Sequence, residues 1–187
     1  MPVLRNIHKN VRLALGLGAC ALTLNLAMRW VSGETSLPLG NIFLYFSAMV
    51  FGLPGAMMAF AAGVIPEVLY FSEWAELLRL FTICAALGLV SERYPRLPAQ
   101  LVTLALWYGV FLPLSILSPG TLPGFLSTSN FMTAMLMAVL EISLVTICSV
   151  ALLNPYVYGF MTGKPRQSSF GDVLMHAFNL VTALTVF

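Results

Sequence analysis

The first residue of this chain with the makings of chemistry is a carboxylate in the middle of an apolar run. Glu141 stands eleven residues into the otherwise uncharged stretch 130–153, which puts it near the centre of a bilayer if that stretch crosses one. Acids in such places are costly, and they face a cavity, a cation or another helix. A carboxylate out of water needs a cation or several donors to keep its charge. Two readings follow: a sensing, ligand-binding or proton-linked group, or an acid that ties helices together by a hydrogen bond. Ser143 and Thr146 beside it can donate locally. A second set opens the run SEWAELLR (72–79), where Glu76 and Arg79 lie three apart and can pair on one helical face. Arg79 is close enough to the helix start for its long side chain to snorkel outward. The choice there is between an interfacial ion pair and a polar pocket with Glu67 and Trp74 on its rim. A third set, Asp172, His176 and Asn179, makes an i, i+4, i+7 strip. Histidine titrates near neutrality, so the strip suits either a proton-sensitive contact or the joining of two helices.

These residues are sparse because the chain is. Of its 187 residues 59% are hydrophobic and 9% charged, against about 25% charged in soluble domains. That cannot wet the surface of a water-soluble fold, and long uncharged runs recur throughout. The composition points to an all-α, polytopic transmembrane helical bundle. A net charge of +2 gives nucleic acid nothing to bind, which leaves the lipid bilayer as the main partner. Cys20, Cys84 and Cys148 sit deep in apolar runs with no ligand-like spacing and read as small hydrophobes. No metal site and no cofactor is expected. Phosphate-binding glycine loops, zinc-protease histidines and the serine elbow are all missing. No soluble stretch is long enough for a catalytic domain, so the chain reads as no enzyme.

About seven spans position the candidate residues: 11–30, 38–53, 55–71, 74–91, 98–117, 130–153 and a last one from about 170. Spans two and three are short, forming a thin or partly re-entrant pair. Arg5, Lys9 and Arg12 precede the first span as a signal peptide's charges would. The apolar stretch before Cys20 is too short for one, and the segment reads as a retained first helix. With the N-terminus inside, Arg93 and Arg96 of ERYPR and Lys164 and Arg166 of TGKPRQ fall on the same side, as the positive-inside rule requires. Glu34, Glu67 and Glu73 fall outside, as does Arg29 near the outer end of span one. The chain is still apolar at Phe187. It reads as a single transmembrane domain over 1–187, truncated at its C-terminal end, with an eighth helix as the simplest continuation. Asn154–Pro155 marks a break near the end of span six.

The stretch FGLPGAMMAFAAG (51–63) places helix-unfriendly residues inside one of the greasiest regions. Gly52 suits a turn and Pro54 suits the first turn of a new helix. Beyond them Gly55, Ala59 and Gly63 recur every four residues, leaving one nearly bare face on which a neighbouring backbone can approach. A tight helical hairpin is expected. Ala14 and Gly18 offer a weaker version in span one.

On Pro38, Gly40, Gly52, Pro54, Gly55 and Gly63 the segment 36–63 resembles the start of the bacterial membrane-associated sensory domains of the MASE1-like group. Such domains precede histidine kinases or cyclic-di-GMP enzymes. The resemblance implies a multi-pass sensor of the bacterial inner membrane with a cytoplasmic N-terminus. It would act in two-component or cyclic-di-GMP signalling, passing a ligand or membrane signal to a fused cytoplasmic output domain or through self-association. The alternative is transport: the short second and third spans resemble the substrate-capturing membrane subunits of energy-coupling-factor transporters, which bind a small molecule. A purely structural membrane partner is the third class.

Overall fold

The computed structural model describes residues 2–32, 38–71, 74–94, 97–113, 131–163 and 174, and every element among them is helical. α1 is Pro2–Ser32, α2 Asn41–Phe71, α3 Trp74–Arg93 and α4 Ala99–Leu106. α4 runs straight into a π-helical turn, Trp107–Phe111; α5 is Phe131–Leu153 and α6 Pro155–Thr162. Three helical segments are long and apolar enough to cross a membrane: Asn10–Val31, Asn41–Pro66 and Ala134–Leu153. Val31, Leu78, Leu136, Tyr156 and Phe160 stand exposed on the outside, a surface suited to lipid. The chain is an all-helical membrane protein.

The second of those segments is not a straight rod. At Gly52 the backbone takes φ 67° and ψ −158°, a combination that only glycine adopts without strain. The two arms then lie side by side. A Cβ built on Gly63 would sit 3.2 Å from Cδ2 of Leu44, and Ser47 Oγ donates to the Gly55 carbonyl at 3.0 Å. The expected spans 38–53 and 55–71 are therefore two arms of a hairpin. Its first arm, 41–51, is about 16 Å long at 1.5 Å per residue, roughly half of a 30 Å hydrocarbon core. None of its residues is exposed, so this short arm is wrapped by protein. That is where interrupted backbone is tolerated in a membrane.

Side chains and small residues satisfy the hairpin. Ser91 Oγ of α3 donates to the Ala48 carbonyl at 3.1 Å. The Leu53 N–H, at the start of the second arm, donates to Glu92 Oε1 at 2.9 Å. A Cβ on Gly88 would lie 2.8 Å from Leu53 Cα, so α3 closes directly on the turn. On the other side α1 buries Ala14, Gly18, Ala21 and Asn25, an i, i+4, i+7, i+11 strip. A Cβ on Gly18 would collide with the Ala59 carbonyl and lie 2.8 Å from Ala62 Cβ; one on Gly63 would lie 2.8 Å from the Gly18 carbonyl. The Gly55–Ala59–Gly63 strip thus serves two neighbours. Ala59 and Gly63 receive α1, a partner the sequence reading had not assigned, while Gly55 packs against Phe51 and Ser47 within the hairpin.

Leu44, Tyr45 and Ala48 of the first arm meet Phe60 and Val64 of the second in the core. α3 adds Leu80, Ile83, Cys84 and Leu87, the π turn Trp107 and Phe111, and α5 Ala138, Val145 and Cys148. Asn154 ends α5 and caps α6, its side chain accepting from the Tyr156 N–H at 2.9 Å; this is the expected break. The expected last span, from about 170, lies outside the described residues.

Candidate functional site

Four elements converge on Glu141. Its Oε1 lies 2.8 Å from Arg79 Nη1, with side-chain exposures of 0% and 2%. Its Oε2 accepts from Trp107 Nε1 at 2.7 Å. The guanidinium carbon of Arg79 sits 5.7 Å over the Trp107 ring, within cation–π range. The Tyr45 phenol is wholly buried beside Glu141, Cys84 and Arg79, with its hydroxyl directed at the Glu141 carboxylate. Glu141 Oε1 meets Arg79 by charge at short range and not along an aligned hydrogen bond. α3, α5 and the π turn are thereby joined by one ion pair with an aromatic lid, and the first arm of α2 supplies a hydroxyl beside it.

Local structure explains how each group gets there. In the π turn Trp107 and Phe111 are both buried and pack edge to face, with ring centroids 5.4 Å apart at 68°. Turns of this kind are rare and concentrate at functional sites. On α5 three hydroxyls are satisfied within the helix: Ser143 donates to Val139 O and Thr146 to Ile142 O, both at 2.7 Å, and Ser149 to Val145 O at 2.9 Å. Glu141, the one acid of α5, reaches other helices instead, as does Cys148, whose Sγ donates to the Ile42 carbonyl of α2 at 3.3 Å.

Two further polar points bracket the site. Asn25 Oδ1 accepts from the Gly40 N–H at 2.7 Å, and its amide donates to Asn41 Oδ1 at 3.3 Å, pinning α1 to the start of α2. Gln100, 3% exposed near the start of α4, has no hydrogen-bond partner for either amide atom.

Arg79 departs from the expected arrangement. It turns inward, buried, with Glu141 as its ion-pair partner, and does not snorkel to the interface; a buried carboxylate outweighs the reach to water. Glu76 lies in α3, its side chain outside the described residues, and so do Asp172, His176 and Asn179. Of the residues singled out for chemistry, the structure brings together Glu141 and Arg79. Sequence reasoning missed Tyr45, Trp107 and Glu92. A tryptophan and a tyrosine in mid-run are the signal for the first two, since each carries a polar group that a buried site must satisfy. Glu92 had been read only as part of a basic loop. Among the described residues no three His, Cys, Asp or Glu side chains gather as metal ligands would.

The fold and site define a class: a helical membrane protein built around a buried, aromatic-lined ion pair. No protein-family model, curated protein or solved structure matches the chain.

Proposed function

We propose that the chain is the membrane-embedded input module of a bacterial signalling protein. In this reading it is a bundle of about seven spans in the inner membrane, the second and third a thin or partly re-entrant pair, with a cytoplasmic N-terminus, and it passes a ligand or membrane signal to a cytoplasmic output domain. The observation that carries the reading is the Arg79–Glu141–Trp107 junction. A buried pair is weak support for stability by itself, and its best-attested use is to fix register or to switch. Sliding α3 against α5 pulls the 2.8 Å pair apart within the core, so the junction favours distinct arrangements over a continuum. A stimulus that binds one of them better shifts the population.

The resemblance to MASE1-like sensory domains gains support from where its residues sit. The Pro38 carbonyl accepts the first N–H of α2 at 3.1 Å, Gly52 makes the turn, and Gly40, Gly55 and Gly63 are points of close approach. Arg93 ends α3 next to Glu92, which caps the turn at Leu53, so the turn lies toward the side that Arg93 marks, the cytoplasmic one in this reading.

The test is output activity of the full-length reading-frame product in membrane vesicles, for wild type, Glu141→Gln, Arg79→Met and Gly55→Leu. Altered output from assembled protein is expected. Unchanged signalling and assembly in all three variants count against the reading. Transport is the second reading, favoured by the enclosed, glycine-broken arm of α2, since discontinuous helices build many transporter sites. Solute uptake by proteoliposomes of this chain, with no output domain present, would select it.

A further inference from the structure

α5 uses up the thickness of the membrane. Its 23 residues rise about 34 Å at 1.5 Å each, against a hydrocarbon core of about 30 Å. Ile147 and Val150, near its end, are still exposed on its outer face. After one residue α6 begins. Asn154 between them is extended, with φ −68° and ψ 118°, so α6 is a separate helix and not more of α5. Were it to run on outward, it would carry Tyr156 and Phe160, 86% and 77% exposed, into water. These two rings stand four residues apart and share one face. Met161, on another side, is buried, and α6 touches α2 there. Both ends are closed: Asn154 caps the first turn, and the N–H of Gly163, at φ 71°, donates to the Gly159 carbonyl at 2.8 Å. A short helix capped twice, backed by protein and aromatic outside, suits the headgroup boundary of a bilayer. The sequence adds a charge of fitting sign. Lys164 and Arg166 follow the cap, and no acid stands between Glu141 and Asp172.

We propose that α6 is an interfacial helix whose partner is the headgroup layer of anionic phospholipid. It lies along the membrane surface where α5 emerges and sinks Tyr156 and Phe160 to the level of the lipid carbonyls. The two cations that follow it in the chain draw it to lipid phosphate. This assignment rests on the membrane character of the bundle and not on whether the bundle signals or transports.

Tryptophan fluorescence in brominated lipid tests it. Trp30→Phe with Trp74→Phe leaves the buried Trp107 as a constant background, and Tyr156→Trp, Phe160→Trp or Ile147→Trp then adds one reporter. The full chain is placed in phosphatidylcholine vesicles, with or without phosphatidylglycerol, whose acyl chains carry bromine either near the carbonyls or deeper. Both α6 reporters are expected to be quenched most by the shallow bromines and to the same extent, and Ile147→Trp most by the deep ones. A helix running on along α5 would hold residue 160 about 6 Å further out than 156. Reporters that neither bromine quenches, or that match the depth of Ile147→Trp, overturn the proposal. Phosphatidylglycerol is expected to raise the shallow quenching at both α6 positions, since each cation is worth about fivefold in attachment to an anionic surface. Lys164→Gln with Arg166→Gln should abolish that rise and leave Ile147→Trp unchanged. No rise, or a rise that survives the double substitution, overturns the anionic preference.

Discussion

Glu141 shares one carboxylate between a cation and an indole, and the cost of disturbing it depends on which partner is left behind. Glu141→Gln keeps an acceptor for Trp107 but removes the carboxylate charge that Arg79 meets in the core. Breaking a buried pair on one side costs about 3–5 kcal/mol, and a loss of that size is expected in detergent unfolding followed by circular dichroism. Arg79→Met combined with Glu141→Leu removes both charges and should recover most of it. A double variant no more stable than Glu141→Gln would mean the pair is not what holds α3 to α5. At this scale the sequence was half legible. Glu141 declares itself because it is the one acid in a long apolar run. Its partner does not: Arg79 has Glu76 three residues before it, the local choice, while Glu141 lies far along the chain and only the fold brings them together. Tyr45 and Trp107 were equally hidden, since aromatic residues are commonplace in lipid and only burial turns their polar atoms into obligations.

Among the elements, the hairpin was readable and its neighbours were not. Gly52 and Pro54 announce a turn by their backbone chemistry alone. Gly52→Ala should cost about 1–3 kcal/mol for a backbone that only glycine adopts without strain, and more because a Cβ there would run into the Glu92 carboxylate. Glu92→Gln should be milder, since an amide oxygen still accepts from the Leu53 N–H. The pair of variants, compared by thermal unfolding, separates turn from cap. The seam between α1 and the second arm gives a cleaner contrast. Gly18→Leu must push against the Ala59 backbone, whereas Gly16→Leu meets nothing within 4 Å. Faster proteolysis between α1 and α2 is expected for the first and none for the second; equal effects would refute the seam. The four-residue spacing of Gly55, Ala59 and Gly63 marked a bare face but could not say which helix would use it. The π turn left no trace in the sequence, because its cause is how Trp107 and Phe111 pack and no residue type spells it.

For the whole molecule, composition carried the class: 9% charge over 187 residues leaves a surface that only lipid suits, and the exposed Leu78, Leu136 and Phe160 agree. The number and sense of crossings rest on sparse loop charges. Impermeant labelling of single cysteines placed in 92–96 and 164–167 is expected to mark one and the same membrane face, and opposite faces would dismantle the proposed topology. The wrapped first arm of α2 bears on how the molecule is made. A segment that reaches half-way into lipid has no stable resting place by itself, so it must enter folded against residues 53–71. The turn's exposed backbone then stays wanting until Ser91 and Glu92 emerge from the ribosome. Assembly is therefore staged, with the first three helices maturing as one body only after the end of α3 has been synthesised.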